Sequence, residues 1–304
     1  MKKNQLGKSD IYISELTLGC MSLGTDKNKA KSIIDYALDQ GINHLDTADL
    51  YDFGENEKIV GEAIKDRRHD IVLTTKVGNH FNKERKDWFW DPSKPYILEQ
   101  VKTSLSRLQT DYIDFYMLHG GTIDDPIDET IEAFEQLKQE GYIRAYGISS
   151  IRPNVIREYV KRSSIDGVML QYNMFDRRPE EEILDLLKEH HISVLARGPL
   201  AKGMLTEQAD QNIASKGKEG YLDYSYKELL EMKQAIANIK GSFTVNELAF
   251  KYLLKHPAVS TAVFGASSID QVKENINHSS QELTEELYEN IQNITKPIKY
   301  AVHR

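Results

Sequence analysis

Short apolar runs alternate along the chain with longer segments whose apolar residues recur at helical spacing, a pattern that predicts βα units around a parallel sheet. The runs are Leu16 to Leu18, Ile42 to Leu45, Ile71 to Val77, Ile113 to Leu118, Arg144 to Ile148, Val168 to Gln171, Ile192 to Ala196 and Thr261 to Phe264. Eight of them predict a closed α/β architecture, the (β/α)8 TIM barrel, with an extra helix at its C-terminal end. The first helix carries Ala30, Ile33, Ile34, Ala37 and Leu38 on one stripe and stops at Gly41, a residue suited to the left-handed turn past a helix end. The fourth opens at Asp125-Pro126, read as a cap followed by a first-turn proline, turns Ile127, Ile131, Phe134 and Leu137 inward, and stops at Gly141. Further helix starts are expected near Ser93, Pro153, Pro179, Thr244 and Ser268.

Ahead of the barrel, Leu6-Gly7-Lys8-Ser9-Asp10-Ile11 reads as the turn of a short hairpin, a lid on one end of the molecule. Two connections are longer than a plain βα unit requires. One runs from Gly78 to Asp91 and holds Trp88-Phe89-Trp90, either a pocket wall or a surface loop with an aromatic anchor; the other runs from Ala201 to about Lys240, is polar, and holds Tyr221, Tyr224 and Tyr226. No linker or composition break divides the chain, so residues 1–304 are expected to form one domain.

Composition narrows the function. With 40% apolar residues, and no apolar run near the roughly 18 residues a span needs, the chain reads as a soluble protein with a sizeable core. A net charge of −8 with scattered basic residues argues against nucleic acid as the partner. The single cysteine, Cys20, leaves no internal disulfide framework, and the first residues, MKKNQLGKSD, lack the apolar block of a secretory signal, so a reducing, cytoplasmic setting is expected. The expected partner is a small molecule, with no membrane and no need for an oligomer.

In such a barrel the chemistry sits where strands end and helices begin. The stretch from His44 to Glu57 is central: its strand cannot continue through Asp46-Thr47-Ala48-Asp49 without burying charge, so the chain surfaces at Asp46, and Tyr51 follows five residues later. The third strand reaches Lys76 and the fourth leads into His119, so Asp46, Tyr51, Lys76 and His119 converge on one rim. That set describes a proton donor. A free phenol titrates near pH ~10. A lysine ammonium beside it would lower that value, Asp46 would keep Lys76 charged and aimed, and a neutral His119 could orient a carbonyl oxygen beside the Tyr51 hydroxyl. Each residue also has a purely structural reading, a buried ion pair for Asp46 and Lys76, a satisfied backbone carbonyl for His119.

The remaining strand ends offer a cofactor surface: Cys20-Met21, Ser149-Ser150, Gln171-Tyr172-Asn173, and Arg197-Gly198-Pro199-Leu200-Ala201-Lys202-Gly203. After the last strand, Gly265-Ala266-Ser267-Ser268 opens a helix whose free N–H groups can hold a phosphate, with Gln271, Glu274 and Asn275 on its first two turns. No GxGxxG follows the first strand, so a Rossmann site is not indicated.

These blocks, in this order, resemble the aldo-keto reductase family over nearly the whole chain: Asp46-Thr47-Ala48 with Tyr51 and Gly54, Lys76, Leu118-His119, Gly147-Ile148-Ser149, Gln171-Tyr172-Asn173, Gly198-Pro199-Leu200-Ala201, and Phe264-Gly265-Ala266 with Gln271 and Glu274-Asn275. The resemblance implies NADP(H) lying across the C-terminal rim and reduction of aldehydes or ketones. It makes Tyr51 the general acid, Lys76 the group that lowers its pKa, Asp46 the partner of Lys76, and His119 the residue that positions the carbonyl. The sequence departs from many members in three places. Ser150 stands where an asparagine is common, and Arg197 where a tyrosine often stacks on nicotinamide; its charge would disfavour the oxidised ring. Gly265 and Gln271 stand where a lysine and an arginine often hold the 2′-phosphate, a role then open to Lys202, Lys216 or Lys218.

Two other functions fit parts of the pattern. A sensor or regulatory subunit could hold NADPH with little turnover, and a cofactor-free lyase could use Lys76 as a Schiff-base amine, although Asp46 would oppose the low pKa that chemistry needs. The expected substrate pocket, Met21, Tyr51, Trp88, Trp90 and His119 with Phe89 and Arg197 nearby, is apolar with one cationic corner, compatible with aromatic aldehydes, dicarbonyls or sugars. No metal is expected.

Overall fold

A hairpin of β1 (Lys3–Gln5) and β2 (Tyr12–Ser14) closes one end of an eight-stranded parallel barrel in the computed structural model, which describes residues 1–277 and 281–304. The staves are β3 (Leu16–Gly19), β4 (His44–Asp46), β5 (Val72–Val77), β8 (Ile113–Leu118), β9 (Ile143–Ser149), β10 (Gly167–Gln171), β11 (Ser193–Arg197) and β12 (Val259–Gly265), and β12 returns to pair with β3. The connection after β5 is not a plain loop, because β6 (Asn79–Asn82) and β7 (Asp87–Trp90) pair as a second hairpin over the mouth.

Around the barrel lie α1 (Lys27–Asp39), α2 (Glu55–Ile64), α3 (Lys94–Leu108), α4 (Ile127–Gln139), α5 (Pro153–Arg162), α6 (Ile183–Glu189), α7 (Ala209–Lys216), α8 (Tyr226–Ile239), α9 (Val245–Leu254), α10 (Ile269–Ile276) and α11 (Glu285–Ile294). The expected stripes are the buried ones: Ala30, Ile33, Ile34, Ala37 and Leu38 on α1, and Ile127, Ile131, Phe134 and Leu137 on α4. The long polar connection from 201 to 240 contains α7 and α8, and α11 is the extra C-terminal helix. The region near Pro179 begins as a 3₁₀ turn, Arg178–Glu181, before α6. The expected cap at Asp125 is not made. Its carboxylate accepts instead from the Thr122 N–H at 2.7 Å and from the Trp90 indole, while Pro126 occupies the cap position without a side-chain bond.

The N-terminal hairpin is a floor. Leu6, Ile11 and Ile13 pack into the barrel against Phe115, Met117, Met169, Leu195 and Val263, and the turn is tied to strand beginnings by Gly7 N–H to Ser193 Oγ (2.8 Å) and Lys8 N–H to Asp166 Oδ1 (3.2 Å). The mouth at the other end stays open.

Strand periodicity then decides what faces the mouth. Side chains alternate in and out along a strand. His44 on β4 bonds Thr17 on β3 and Thr74 on β5, both at 2.7 Å, and Thr17 bonds Thr261 on β12 at 2.7 Å, so these four point into the barrel. Phe115, Met117, Ala145, Met169 and Leu195 do likewise. Two residues onward from this interior set come Gly19, Asp46, Lys76, His119, Gln171, Arg197 and, beyond Val263, Gly265. The polar rim is thus the last inward layer of the barrel.

Candidate active site

Lys76 is fully buried at the bottom of the mouth. Its Nζ lies 2.7 Å from Asp46 Oδ1, 2.8 Å from the Thr47 carbonyl oxygen and 3.2 Å from Tyr51 Oη. Burial presses the ammonium toward its neutral form, but Asp46 and the Tyr51 oxygen outweigh it, and the pKa of Lys76 moves up. Burial pushes the Asp46 carboxyl up against the pull of Lys76. The 2.7 Å contact identifies the couple as an ion pair.

Tyr51 departs from the sequence expectation in one respect. Its pKa rises above the ordinary phenol value, because burial outweighs the lowering by Lys76, and Asp46 adds to the rise. Lys76 therefore offsets part of a desolvation cost; it does not make the resting phenol a strong acid. His119 stacks edge-on to Tyr51, with ring centroids 5.8 Å apart at 82°. Burial first, then Lys76 and Arg197, depress its pKa to about 3, so the imidazole is neutral as expected. Its Nδ1 is buried without a protein partner, which leaves Nε2 as the nitrogen turned to the cavity.

Local structure explains why Tyr51 is held there. Asp52 (φ 48°), Phe53 (φ 52°) and Gly54 (φ 86°) are left-handed in succession, a turn that reverses the chain between β4 and α2. Beneath it, Glu57 accepts from Arg107 at 3.1 Å and from Thr75 Oγ1 at 2.7 Å. Asn56 accepts from Thr47 Oγ1 at 2.7 Å and donates to the Cys20 carbonyl at 2.9 Å, joining the ends of β3 and β4. Neither Asn56 nor the Glu57–Arg107 pair was legible as site support; an asparagine and a glutamate entering a helix read as ordinary first-turn residues.

Above this centre opens a cavity of about 1210 Å³. It is lined by Met21, Asp46, Tyr51, Lys76, Trp88, Trp90, His119, Ser149, Ser150, Gln171, Arg197, Gly198, Pro199, Leu200, Lys202, Gly203, Gly265, Ser267, Gln271, Glu274 and Asn275, so most of the expected site residues gather there. Cys20 follows the inward Gly19 and therefore points outward: it is buried, its thiol donates to the Leu18 carbonyl at 3.6 Å, and burial pushes its pKa up. Phe89 also turns away, stacking on His80, and Lys218 does not reach the cavity although Lys216 does. Lining residues that sequence reasoning missed include Asn79, Gly120, Gly121, Thr122, Ile151, Arg152, Asn212 and Asn246.

The β11–β12 side of the mouth fits a dinucleotide. Gln171 Oε1 accepts from Arg197 at 3.3 Å, and Asn173 Nδ2 donates to the Gly198 carbonyl at 2.9 Å, which fixes the turn that follows. In that turn Ala201, Lys202 and Gly203 are left-handed, Lys216 Nζ donates to the Lys202 carbonyl at 3.1 Å, and the Lys202 ammonium lies 6.0 Å from the centre of the Tyr221 ring; both lysines line the mouth. At the start of α10, Ser268 caps the Gln271 N–H and Gln271 Oε1 accepts from the Ser267 N–H at 2.8 Å; Asn246 Nδ2 holds Asn275 Oδ1 at 2.9 Å. Backbone donors, carboxamides and cations along one groove suit an anionic, amide-bearing cofactor. Among the described residues no helix is long and apolar enough to cross a membrane, and no group of His, Cys, Asp and Glu is arranged to hold a metal.

Comparison with known proteins agrees with this geometry. A sequence model of the Aldo/keto reductase family matches residues 15–296. The chain is 58% identical to "Uncharacterized oxidoreductase YqkF" of Bacillus subtilis over the full length of both, and 33% identical to "NADH-specific methylglyoxal reductase" of Escherichia coli, covering 91% of this chain and 93% of that one. Among solved structures, the holo form of "aldo-keto reductase AKR11C1" from Bacillus halodurans superposes with a TM-score of 0.95 at 56% identity, covering 100% of this chain and 99% of that one.

Proposed function

The chain belongs to the aldo-keto reductase family, and from that premise we propose that it is an NADPH-dependent reductase of aldehydes or ketones, with Tyr51 as proton donor. The observation that carries the reading is the triple contact of Lys76 with Asp46, Thr47 and Tyr51 at the floor of a cavity large enough for both cofactor and substrate. When bound, the reduced nicotinamide supplies the hydride. Everything else falls to the protein. His119 Nε2–H and Tyr51 Oη–H together address one carbonyl oxygen, and Tyr51 passes its proton there as negative charge develops. The phenolate left behind is met by the Lys76 ammonium, which Asp46 keeps charged. Trp90, packed over Gly78 and Gly120, walls the side of the mouth next to His119.

NADPH rather than NADH is proposed because Lys202 and Lys216 both line the cofactor edge of the mouth, and neither is ion-paired to a carboxylate among the described residues. A buried, protonated Cys20 is compatible with a cytoplasmic setting.

The test follows oxidation of NADPH with a panel of simple aldehydes. Tyr51→Phe is expected to cut turnover by at least about 10²-fold while NADPH still binds, since only the proton donor is removed. Turnover close to that of the wild-type protein would overturn the assignment.

A further inference from the structure

We propose that the substrate end of the mouth takes carbonyl compounds carrying a carboxylate, and that Arg152 is the residue that holds it; this rests on the reading of the site as a carbonyl reductase. The starting observation is a census of the chain's twelve arginines. Ten are ion-paired to an aspartate or glutamate: Arg67, Arg68, Arg85, Arg107, Arg144, Arg157, Arg162, Arg177, Arg178 and Arg304. Among the described residues Arg152 and Arg197 have no carboxylate partner, and both line the mouth.

The two follow staves with β10 between them and turn to different neighbours. Arg197 ends β11, beside the staves that carry the cofactor groove, and is bonded to Gln171. Arg152 follows β9, next to β8 and His119, on the side walled by Trp88 and Trp90. Its half-buried guanidinium donates through Nη1 to the Gly121 carbonyl at 2.6 Å. Among the described residues that is its one side-chain hydrogen bond, which leaves the other edge of a planar, five-donor group without an acceptor there. Gly121 is two residues from His119, so the bonded carbonyl lies within about 7 Å of chain from the residue that orients the substrate carbonyl. A substrate with an aldehyde at one end and a carboxylate two to four carbons away spans an interval of that order.

The field of the mouth points the same way. It carries five cationic side chains against two carboxylates, Asp46 and Glu274, in a chain whose net charge is −8. An anionic cofactor accounts for the cations near β11 and α7, whereas among the described residues Arg152 is the one cation of the mouth bonded to the His119 loop. A cationic mouth draws anions, and a guanidinium there forms a charge-assisted bond once they arrive.

Arg152 could instead be only a clasp on the His119 loop, and the experiment separates the two roles. With NADPH present, kcat/KM is measured for a matched pair, 4-oxobutanoate and butanal, in the wild-type protein, Arg152→Met and Arg152→Lys. The wild-type protein is expected to favour the carboxylated member, and Arg152→Met to lower the ratio of the two by about 10- to 100-fold, the loss of a hydrogen-bonded charge pair, with Arg152→Lys in between. A ratio unchanged in Arg152→Met, with both substrates falling together, assigns the residue to the loop and overturns the proposal. Binding of butyrate in the presence of NADPH, followed by the fluorescence of Trp88 and Trp90, is a second and independent measurement. If neither aldehyde is reduced, the reductase reading fails while butyrate still decides: weaker binding to Arg152→Met supports the anion site, and equal binding removes it.

Discussion

The Trp90 indole N–H lies 3.0 and 3.1 Å from the two oxygens of Asp125, and this contact fixes the wall of the mouth nearest His119. The ring lies over Gly78 and Gly120, where an added Cβ would come within 2.7 and 3.2 Å of it. The same carboxylate accepts from Thr122 N–H and Oγ1, so one residue holds both the wall and the His119 loop. Asp125→Leu is expected to leave three donors without their acceptor and to cost about 1–3 kcal/mol, read from chemical denaturation. KM for a bulky aldehyde should change more than kcat. Wild-type stability and kinetics in this variant would show that the wall stands without the carboxylate.

Gly54 is the position where the Tyr51 turn has least tolerance. Its φ of 86° disfavours a side chain, and an added Cβ would sit 2.7 Å from Arg107 Cζ, the group that pairs with Glu57. Gly54→Ala should cost about 1–2 kcal/mol from the backbone alone, and more if Arg107 is displaced. Because the turn carries Tyr51, kcat should fall while the NADPH dissociation constant holds. A variant with normal kcat would separate the turn from the proton donor.

Two buried groups give opposite dependences on pH. His119 has its pKa lowered from 6.5 to about 3, so the unfolded chain binds the proton first and the stabilisation, complete above pH 6.5, is lost as pH falls toward 3. The stability difference between wild type and His119→Asn should therefore change by up to about 1.4 kcal/mol per pH unit across that window, and be flat above it. Asp49 runs the other way. Burial, with Glu57 adding, raises its carboxyl well above 3.8, and one of its oxygens has no partner. The folded protein holds that proton more tightly, so stability drains away as pH rises through and beyond 3.8. Asp49→Asn, which keeps an acceptor for Gln100, should be more stable than wild type at neutral pH, with the gain vanishing in acid. Identical denaturation curves at pH 7 would contradict this.

The cofactor assignment predicts an asymmetric response to two lysine variants. Lys202→Ala and Lys216→Ala should each raise the NADPH dissociation constant by about 10-fold, the loss of one charge-assisted phosphate contact, and leave NADH little changed. Equal losses for both cofactors would place these lysines elsewhere. Arg197 should favour reduced over oxidised cofactor, since its charge faces a cationic ring in the oxidised form. Comparable constants for the two forms would remove that role.

The barrel and most of the rim could be read in the chain because both have strong local signals. An apolar run that ends in Asp46, Lys76 or His119 marks where a strand surfaces, and the number of such runs fixes the closure. Tyr51 was legible from the same stretch. What could not be read depends on contacts far apart in sequence. Asp125 looked like a cap beside Pro126, yet Trp90, 35 residues earlier, and Thr122 claim its oxygens. Arg152 carries no motif, and its meaning appears only when the other arginines are found to be paired. Lys76 lowers the Tyr51 pKa in the expected sense, but the larger opposing effect of burial was not legible, because charges can be counted in a sequence, whereas the depth at which they lie cannot. Cys20 lies one residue past the end of β3 with its side chain turned away from the mouth, and along a strand a single position is enough to change the face.

That last point bears on how the protein can change. Asp46, Lys76 and His119 share one inward layer of a period-two lattice, so inserting or deleting one residue within β4, β5 or β8 would send the reactive group among the helices and end the chemistry. The hairpin from 79 to 90 and the segment from Gly120 to Asp125 lie beyond that lattice and can lengthen, shorten or exchange residues without shifting its phase. Diversification of what the protein acts on is thereby uncoupled from the way it acts, and libraries varied in those two segments, with Trp90, Gly120 and Asp125 kept, sample new preferences on an unaltered catalytic frame.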